Sequence, residues 1–95
     1  MKSNQKLALK ISSVFKKDLK LLSKRGFNLE ELSVVVDYLQ NGKLLPSKYK
    51  DHALQGDYYP ERECHIRPDW LLIYYIDKKN GILELDRTGT HSDLF

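Results

Sequence analysis

The stretch ERECHIRPDWLLIYYIDKKNGILELDRT, residues 61–88, contains three consecutive segments with strand patterns. Its centre, WLLIYYI (70–76), is apolar on both faces, as expected of a strand buried within a sheet. The segment before it, ERECHIR (61–67), alternates in polarity, and an Asn-Gly turn joins the centre to ILELDRT (82–88). These features predict an antiparallel β-meander over the second half of the chain.

The first half of the chain predicts one strand followed by two helices, of which the first is amphipathic. A short strand is expected around Leu7–Ser12. The apolar residues Phe15, Leu19 and Leu22 then recur at i, i+4 and i+7, which is the spacing of one helix face. Gly26 follows the last turn and is a natural C-terminal stop.

The second helix begins at a recognisable cap and completes the order of elements. Asn28 can cap its N-terminus, and Glu31 stands three residues on, as in a capping box. Gly42 ends the helix, and residues 43–60 read as a long loop. The order β-α-α-β-β-β predicts a single α+β domain over residues 1–95, with two layers in which two helices cover one face of the sheet.

Length and composition indicate one small domain without a membrane segment. The 95 residues are 41% hydrophobic and 31% charged, which is ordinary for a globular protein. No apolar run approaches the roughly 18 residues of a membrane-spanning helix, and the N-terminus lacks a signal-peptide pattern. The single cysteine, Cys64, cannot form an internal disulfide. We therefore expect a cytoplasmic protein that does not bind membranes.

Charge is distributed unevenly along the chain. Residues 1–50 contain eleven Lys/Arg and four Asp/Glu, whereas residues 51–95 contain five and nine. The basic half suggests a surface that faces a polyanion such as a nucleic acid. The alternative is a lysine-rich helix face that is simply solvated.

All three histidines lie in the second half, where the fold can bring them together. His52 is in the loop, His65 on a strand and His91 in the tail. Imidazole titrates near neutral pH, so a pair of histidines can act as general base and general acid. Asp69 can orient such a ring, or it can cap a turn after Pro68. A histidine considered alone is more often a surface or structural residue.

Strand alternation assigns faces to the segment that carries His65. Glu63, His65 and Arg67 are expected on one side, and Cys64 and Ile66 on the other. Cys64 is therefore predicted to be a small core residue and not a nucleophile.

Arg87 raises a conflict between chemistry and periodicity. Its guanidinium suits a phosphate, yet strict alternation places it on the side of Leu83 and Leu85, the expected core side. Either the strand ends or bulges before Arg87, or the face assignment is wrong. A simple alternative is that Arg87 pairs with Glu84 or Asp86.

A metal site is a rival interpretation of the same residues. Three histidines with Asp or Glu can bind zinc, but no pair shows close spacing such as H-x-x-x-H. The chain also lacks a Gly-rich phosphate loop. We therefore predict neither a metal nor another cofactor.

Three segments together are similar to a known family. YKDHALQG (49–56), RECHIRPDWLLIY (62–74) and RTGTHSDLF (87–95) resemble the YafQ branch of the RelE/ParE toxin superfamily. The resemblance implies the same element order and an mRNA interferase that cleaves mRNA at the aminoacyl site of the translating 70S ribosome. It also implies a DinJ-like antitoxin as partner, with operator DNA bound only through the toxin–antitoxin complex.

The resemblance assigns roles to residues of this chain. The implied catalytic residues are His52, His65, Asp69, Arg87 and His91. The predicted substrate contacts are Lys50 beside the loop, Glu63 where some relatives carry Asp, Arg67 as a second phosphate ligand, and the aromatics Trp70 and Phe95. The lysines of the first helix are expected to lie on ribosomal RNA.

The residue types suit RNA cleavage without a metal. The 2′-hydroxyl attacks the adjacent phosphate while one group removes its proton, another protonates the leaving 5′ oxygen and a cation stabilises the pentavalent phosphate. The sequence leaves open which histidine does which. Three alternatives to this ribonuclease also stay open. They are a non-catalytic ParE-like binding toxin, an inactive regulatory homologue and a metal-dependent hydrolase.

Overall fold

A computed structural model of the chain describes residues 6–95, which form a five-stranded sheet, three α-helices and two short 3₁₀ helices. The elements are β1 Ala8–Ile11, α1 Ser13–Lys24, α2 Leu29–Gln40, β2 His52–Ala53, β3 Arg62–Arg67, β4 Trp70–Asp77, β5 Ile82–Gly89 and α3 His91–Leu94. The predicted α+β order is confirmed, and the two-residue strand β2 lies where only a loop was expected. Within the described residues, no helix is long and apolar enough to cross a membrane.

The sheet has the order β1-β5-β4-β3-β2. The predicted meander of β3, β4 and β5 is antiparallel, and β1 adds to it in parallel beside β5. The strand nearest the N-terminus thus lies next to the last strand. Because β5 pairs on both sides, it joins the N-terminal part of the fold to the meander.

The core lies between the sheet and the helices α1 and α2. The helices contribute buried side chains such as Phe15, Leu22 and Val35, which pack on alternate residues of β4, Trp70 and Leu72 among them. Cys64 is also buried there, as predicted, and burial raises the pKa of its thiol to about 12.

The helix ends follow the predicted signals with one exception. Asn28 caps α2 by accepting a hydrogen bond from the Glu30 amide at 3.1 Å, and Gly26 ends the turn after α1 with a φ of +86°. The predicted capping box with Glu31 is not formed, because its carboxylate binds Arg67 instead. The structure has its capping box at α3, where the sequence analysis did not predict one.

A β-bulge in β3 overturns one predicted face assignment. The register with β4 shifts between His65 and Arg67, so Arg67 is paired with Trp70 on the helix side of the sheet. There its guanidinium donates two hydrogen bonds of 2.6 Å to Glu31 on α2. The prediction that Arg67 shares a face with His65 is therefore wrong, because the extra residue Ile66 reverses the alternation.

A second bulge, in β5, resolves the conflict over Arg87. Leu85 pairs with Tyr74, but Arg87 pairs with Ile73, so Asp86 is the extra residue. Leu85 therefore stays in the core while Arg87 turns to the opposite face. Of the possibilities that the sequence left open, the bulge is the one that occurs.

Candidate active site

Four residues form a row across the sheet on the face opposite the helices. His52 of β2 is paired with Glu63 of β3, Glu63 with Ile73 of β4, and Ile73 with Arg87 of β5. Directly paired residues project to the same side, and adjacent strands are about 4.8 Å apart. Arg87 therefore lies two strands from Glu63, on the order of 10 Å away.

The three histidines form an arc on this face. His65 occupies the next row, paired with Leu71, which is in turn paired with Gly89, two residues before His91. The ring centroids of His52 and His65 are 6.2 Å apart, and those of His65 and His91 are 5.9 Å apart. Histidines separated by up to 39 positions in the chain thus form one continuous series of neighbouring rings.

His52 is held at both ring nitrogens. Nδ1 lies 2.7 Å from the Lys50 carbonyl oxygen, and Nε2 lies 3.0 Å from a carboxylate oxygen of the buried Glu63. Both partners are acceptors, so each ring nitrogen of His52 has a fixed neighbour. Lys50 has a left-handed backbone, with φ at 49°, and its side chain lines a groove of about 620 Å³ beside His65.

Asp51, the residue before His52, anchors this segment to the sheet. The Asp51 carboxylate accepts hydrogen bonds from the hydroxyl of Tyr74 and, at 2.9 Å, from the guanidinium of Arg62. Burial raises the pKa of Tyr74, which therefore remains a donor. The sequence analysis did not find this anchor, because it joins a loop residue to strands more than ten residues away.

His91 is oriented by Asp69. The Asp69 carboxylate accepts a hydrogen bond from the backbone amide of His91 at 2.9 Å. It also lies 2.5 Å from Nδ1 of the His91 ring. Both hydrogen bonds lower the pKa of Asp69, and the one from the backbone amide has the larger effect. Nδ1 is engaged, and Nε2 makes no hydrogen bond to any described residue.

The short helix α3 is itself fixed in place. Thr90 and Asp93 form its capping box, and Arg25 donates to Asp93 at 2.9 Å. The bond from Arg25, with smaller help from Thr90, lowers the pKa of Asp93 to about 2. His91 is therefore attached to a rigid support although it lies near the end of the chain.

Trp70 does not belong to the site, so its predicted contact with substrate is wrong. Only 1% of its surface is exposed, its indole N–H donates to Thr88 at 2.9 Å, and it packs edge-on against Phe27. Its neighbour Asp69 projects to solvent while Trp70 fills the core beneath.

The exposed aromatic group near the site is a pair. Phe95 is 59% exposed and stands edge-to-face with Tyr58, which is 46% exposed, at a centroid distance of 5.5 Å. Phe95 was predicted from the sequence, whereas Tyr58 was not singled out. An exposed aromatic pair offers a surface on which a base can stack.

Two of the histidines and the buried glutamate have the donor set of a metal site. One ligand atom each from His52, Glu63 and His65 lies within 4.8 Å of the others. The Nδ1 atoms of both rings face backbone carbonyls, at 2.7 Å for His52 and 3.2 Å for His65, which leaves Nε2 as the ligand atom. Two imidazoles and a carboxylate suit a transition metal ion. Sequence spacing could not reveal this set, because strand pairing creates it.

The carboxyl group of Glu61 lies close to that of Asp86. Partial burial, followed by the nearby carboxylate of Asp86, raises the pKa of Glu61 to about 8. One oxygen of Asp86 is buried without a hydrogen-bond partner among the described residues. A protonated Glu61 can donate to Asp86, so the folded chain favours the neutral acid at Glu61.

We expect the stability of the fold to decrease as pH rises from about 4.5 to about 8, because the folded state binds a proton at Glu61 that the unfolded state releases. Glu61→Gln removes this proton and should flatten the dependence. Thermal unfolding between pH 5 and 9 measures this dependence. We expect Tm to fall by a few degrees more in the wild type than in Glu61→Gln over this range. Asp57→Asn, at an exposed loop position, is the matched control and should keep the wild-type slope.

Comparison with known proteins identifies the chain. Residues 7–95 match the family described as the bacterial toxin of type II toxin–antitoxin systems, YafQ. The mRNA interferase toxin YafQ of Escherichia coli (strain K12) is 42% identical over 88 residues, which are 92% of this chain and 94% of that protein. The class is thus a bacterial type II toxin.

Solved structures agree with this class. A metal-bound toxin from Helicobacter pylori has a TM-score of 0.89 and 48% identity, over 94% of this chain and 99% of that one. The E. coli DinJ-YafQ toxin–antitoxin complex gives a TM-score of 0.86 at 38% identity, over 95% of this chain and 98% of its match. The chain belongs to the YafQ toxin family.

Proposed function

We propose that this chain is an endoribonuclease toxin that cleaves mRNA on the translating ribosome. The observation that carries the proposal is the arc of histidines, in which the rings of His65 and His91 are 5.9 Å apart and Asp69 orients His91. Two imidazole rings this close can act on one phosphate group, one as general base and the other as general acid. The relative from E. coli named an mRNA interferase supports the same activity.

The proton transfers are assigned from the hydrogen bonds of the rings. In our mechanism Asp69 holds Nδ1–H of His91, so Nε2 of His91 removes the proton from the 2′-hydroxyl. His65, whose Nδ1 faces the Pro68 carbonyl, protonates the leaving 5′ oxygen through Nε2. His52 and Glu63 lie next to His65 and keep a proton available to it.

The remaining residues bind the substrate. Arg87 stabilises the negative charge of the pentavalent phosphate, which is the role of preorganised cations in phosphoryl chemistry. Phe95 and Tyr58 stack on a neighbouring base, and Lys50 binds the backbone of the strand. The exposed lysines of α1 bind ribosomal RNA through contacts that depend on salt and not on sequence.

The partner of the toxin is a small antitoxin. YafQ of E. coli crystallises with DinJ, and its fold matches this chain along almost its whole length. We infer that a DinJ-like antitoxin neutralises this chain and that operator DNA is bound only through their complex. The compartment of this reaction is the cytoplasm, where ribosomes translate.

Cleavage by this mechanism needs no metal. The nitrogen atoms that would ligate a metal at His52 and His65 are the atoms that hold and transfer protons in the proposed reaction. The Helicobacter pylori relative is metal-bound. A transition metal in the His52–Glu63–His65 set would therefore inhibit this chain.

The test is a bacterial cell-free translation reaction supplied with the purified chain and one defined mRNA, whose new 5′ ends are mapped by primer extension. We expect in-frame cuts that require translation and that disappear when His65 and His91 are both replaced with alanine. A chelator selective for zinc and copper, which leaves the Mg²⁺ of the ribosome, should not reduce the cuts.

Each alternative gives a different result in this assay. Inhibition of translation without cuts, by the wild type and the double variant alike, would indicate a binding toxin. No effect of the wild type would indicate an inactive homologue. Loss of cuts with the chelator would indicate a metal-dependent hydrolase, and equal cutting of free mRNA would contradict the dependence on the ribosome.

A further inference from the structure

Asp18 lies beside β5 just beyond the point where β1 stops pairing with it. β1 pairs with β5 only as far as Leu85, and Ser12 donates its amide to the Leu85 carbonyl before the chain turns into α1. Beyond that point no strand of residues 6–95 pairs with β5 on this side. There the Asp18 carboxylate of α1 accepts a hydrogen bond from the backbone amide of Thr88 at 3.1 Å, as a neighbouring strand would.

The same carboxylate binds the neighbouring guanidinium. Oδ2 of Asp18 accepts from Nε of Arg87 at 2.9 Å, and Oδ1 accepts from Nη2 at 3.1 Å. The Asp18 side chain is only 12% exposed, whereas that of Arg87 is 37% exposed. A mostly buried anion on α1 thus holds a longer and more exposed cation on the sheet.

This pairing leaves one edge of the guanidinium free. Arginine has five N–H donors, of which Asp18 takes the one on Nε and one on Nη2. No described residue accepts from Nη1. The two Nη1 donors and the second Nη2 donor therefore remain, and together they form the planar fork that binds two oxygens of a phosphate.

We propose that Asp18 is a positioning residue of the active site, which fixes Arg87 on the bulge of β5 so that its free Nη1/Nη2 edge faces the scissile phosphate. This inference rests on the proposed function. An unrestrained arginine has many rotamers, and a catalytic group displaced by about 1 Å loses about 10²-fold in rate. Asp18 supplies the restraint from an element that carries no other residue of the site.

The test separates the two tasks of the carboxylate. In Asp18→Asn, the amide oxygen can still accept from Thr88 and from Nε of Arg87, but the amide nitrogen would face Nη2, donor against donor. We expect kcat for cleavage on programmed ribosomes to fall by about 10- to 100-fold with KM changed less than about twofold. Asp37→Asn, at an exposed helix position, is the matched control.

Three further variants complete the test. Arg87→Ala and the double variant Asp18→Asn/Arg87→Ala should have equal kcat values, because a positioning residue has no effect once its target is absent. Asp18→Glu keeps the charge and should recover part of the activity lost in Asp18→Asn. Thermal unfolding of each variant sets an assay temperature at which all are folded.

The outcomes distinguish this inference from the proposed function. Full activity of Asp18→Asn beside an inactive Arg87→Ala would overturn the role of Asp18 and leave the ribonuclease intact. An additional loss in the double variant, or a change in KM alone, would overturn it as well. Absence of cleavage by the wild type would instead refute the proposed function.

Discussion

Replacing His91 with alanine is expected to slow cleavage of ribosome-bound mRNA by about 10²–10⁴-fold, the usual contribution of a general acid or base. The fold should be unaffected, because the His91 side chain is 54% exposed and its only described partner is Asp69. The backbone amide that Asp69 also accepts is kept in the variant, so the start of α3 remains anchored. Surface substitutions of this kind change stability by less than about 0.5 kcal/mol.

Single-turnover cleavage of mRNA on stalled ribosomes measures this rate, and thermal unfolding checks the fold. Lys78→Ala, at an exposed turn at the far end of β4, is the control and should cleave like the wild type. Asp69→Asn should lose less than His91→Ala, because the ring remains but its orientation is weakened. A rate for His91→Ala within about threefold of wild type would remove His91 from the proton transfers.

Trp70→Ala is expected to lower the free energy of unfolding by about 3–5 kcal/mol, the usual cost of truncating a buried aromatic. A domain of this size has only about 5–15 kcal/mol in total. The indole fills the core against Phe27, and its N–H satisfies Thr88, whose hydroxyl donates to the Leu71 carbonyl at 2.7 Å. The loss is therefore both a cavity and a broken buried hydrogen bond.

Trp70→Phe separates the two effects. It keeps most of the ring but removes the bond to Thr88, so we expect a loss of about 1–3 kcal/mol in urea unfolding. Cleavage at a temperature where the variant is folded should match the wild type, since the ring is 1% exposed. A tenfold slower cleavage by a fully folded variant would return Trp70 to the substrate contacts.

Regular patterns in the sequence predicted the regular parts of the structure. The caps at Asn28 and Gly26 and the apolar alternation placed α1, α2 and the meander, because these signals act within a few residues. The sequence predicted only that the fold can bring the three histidines together, since all of them lie in the second half of the chain.

Irregular features required the folded chain. The bulge that turns Arg67 to the helix side, and the strand β2 that pairs with β3, are products of strand pairing and have no local signal. Trp70 was misassigned because its position in a motif does not indicate its face. Asp18 was missed because it is 69 residues from Arg87 in the chain.

The position of β5 has a consequence for how the molecule forms. Of the five described strands it is the last to be synthesised, yet it lies between β1 and β4. The first strand therefore has no neighbour until Ile82–Gly89 has been made, and a contact of this sequence separation forms slowly. The helices α1 and α2 meet a complete sheet only after that strand is inserted. We therefore expect β1 to join the sheet late in folding, together with the part of the chain that carries His91.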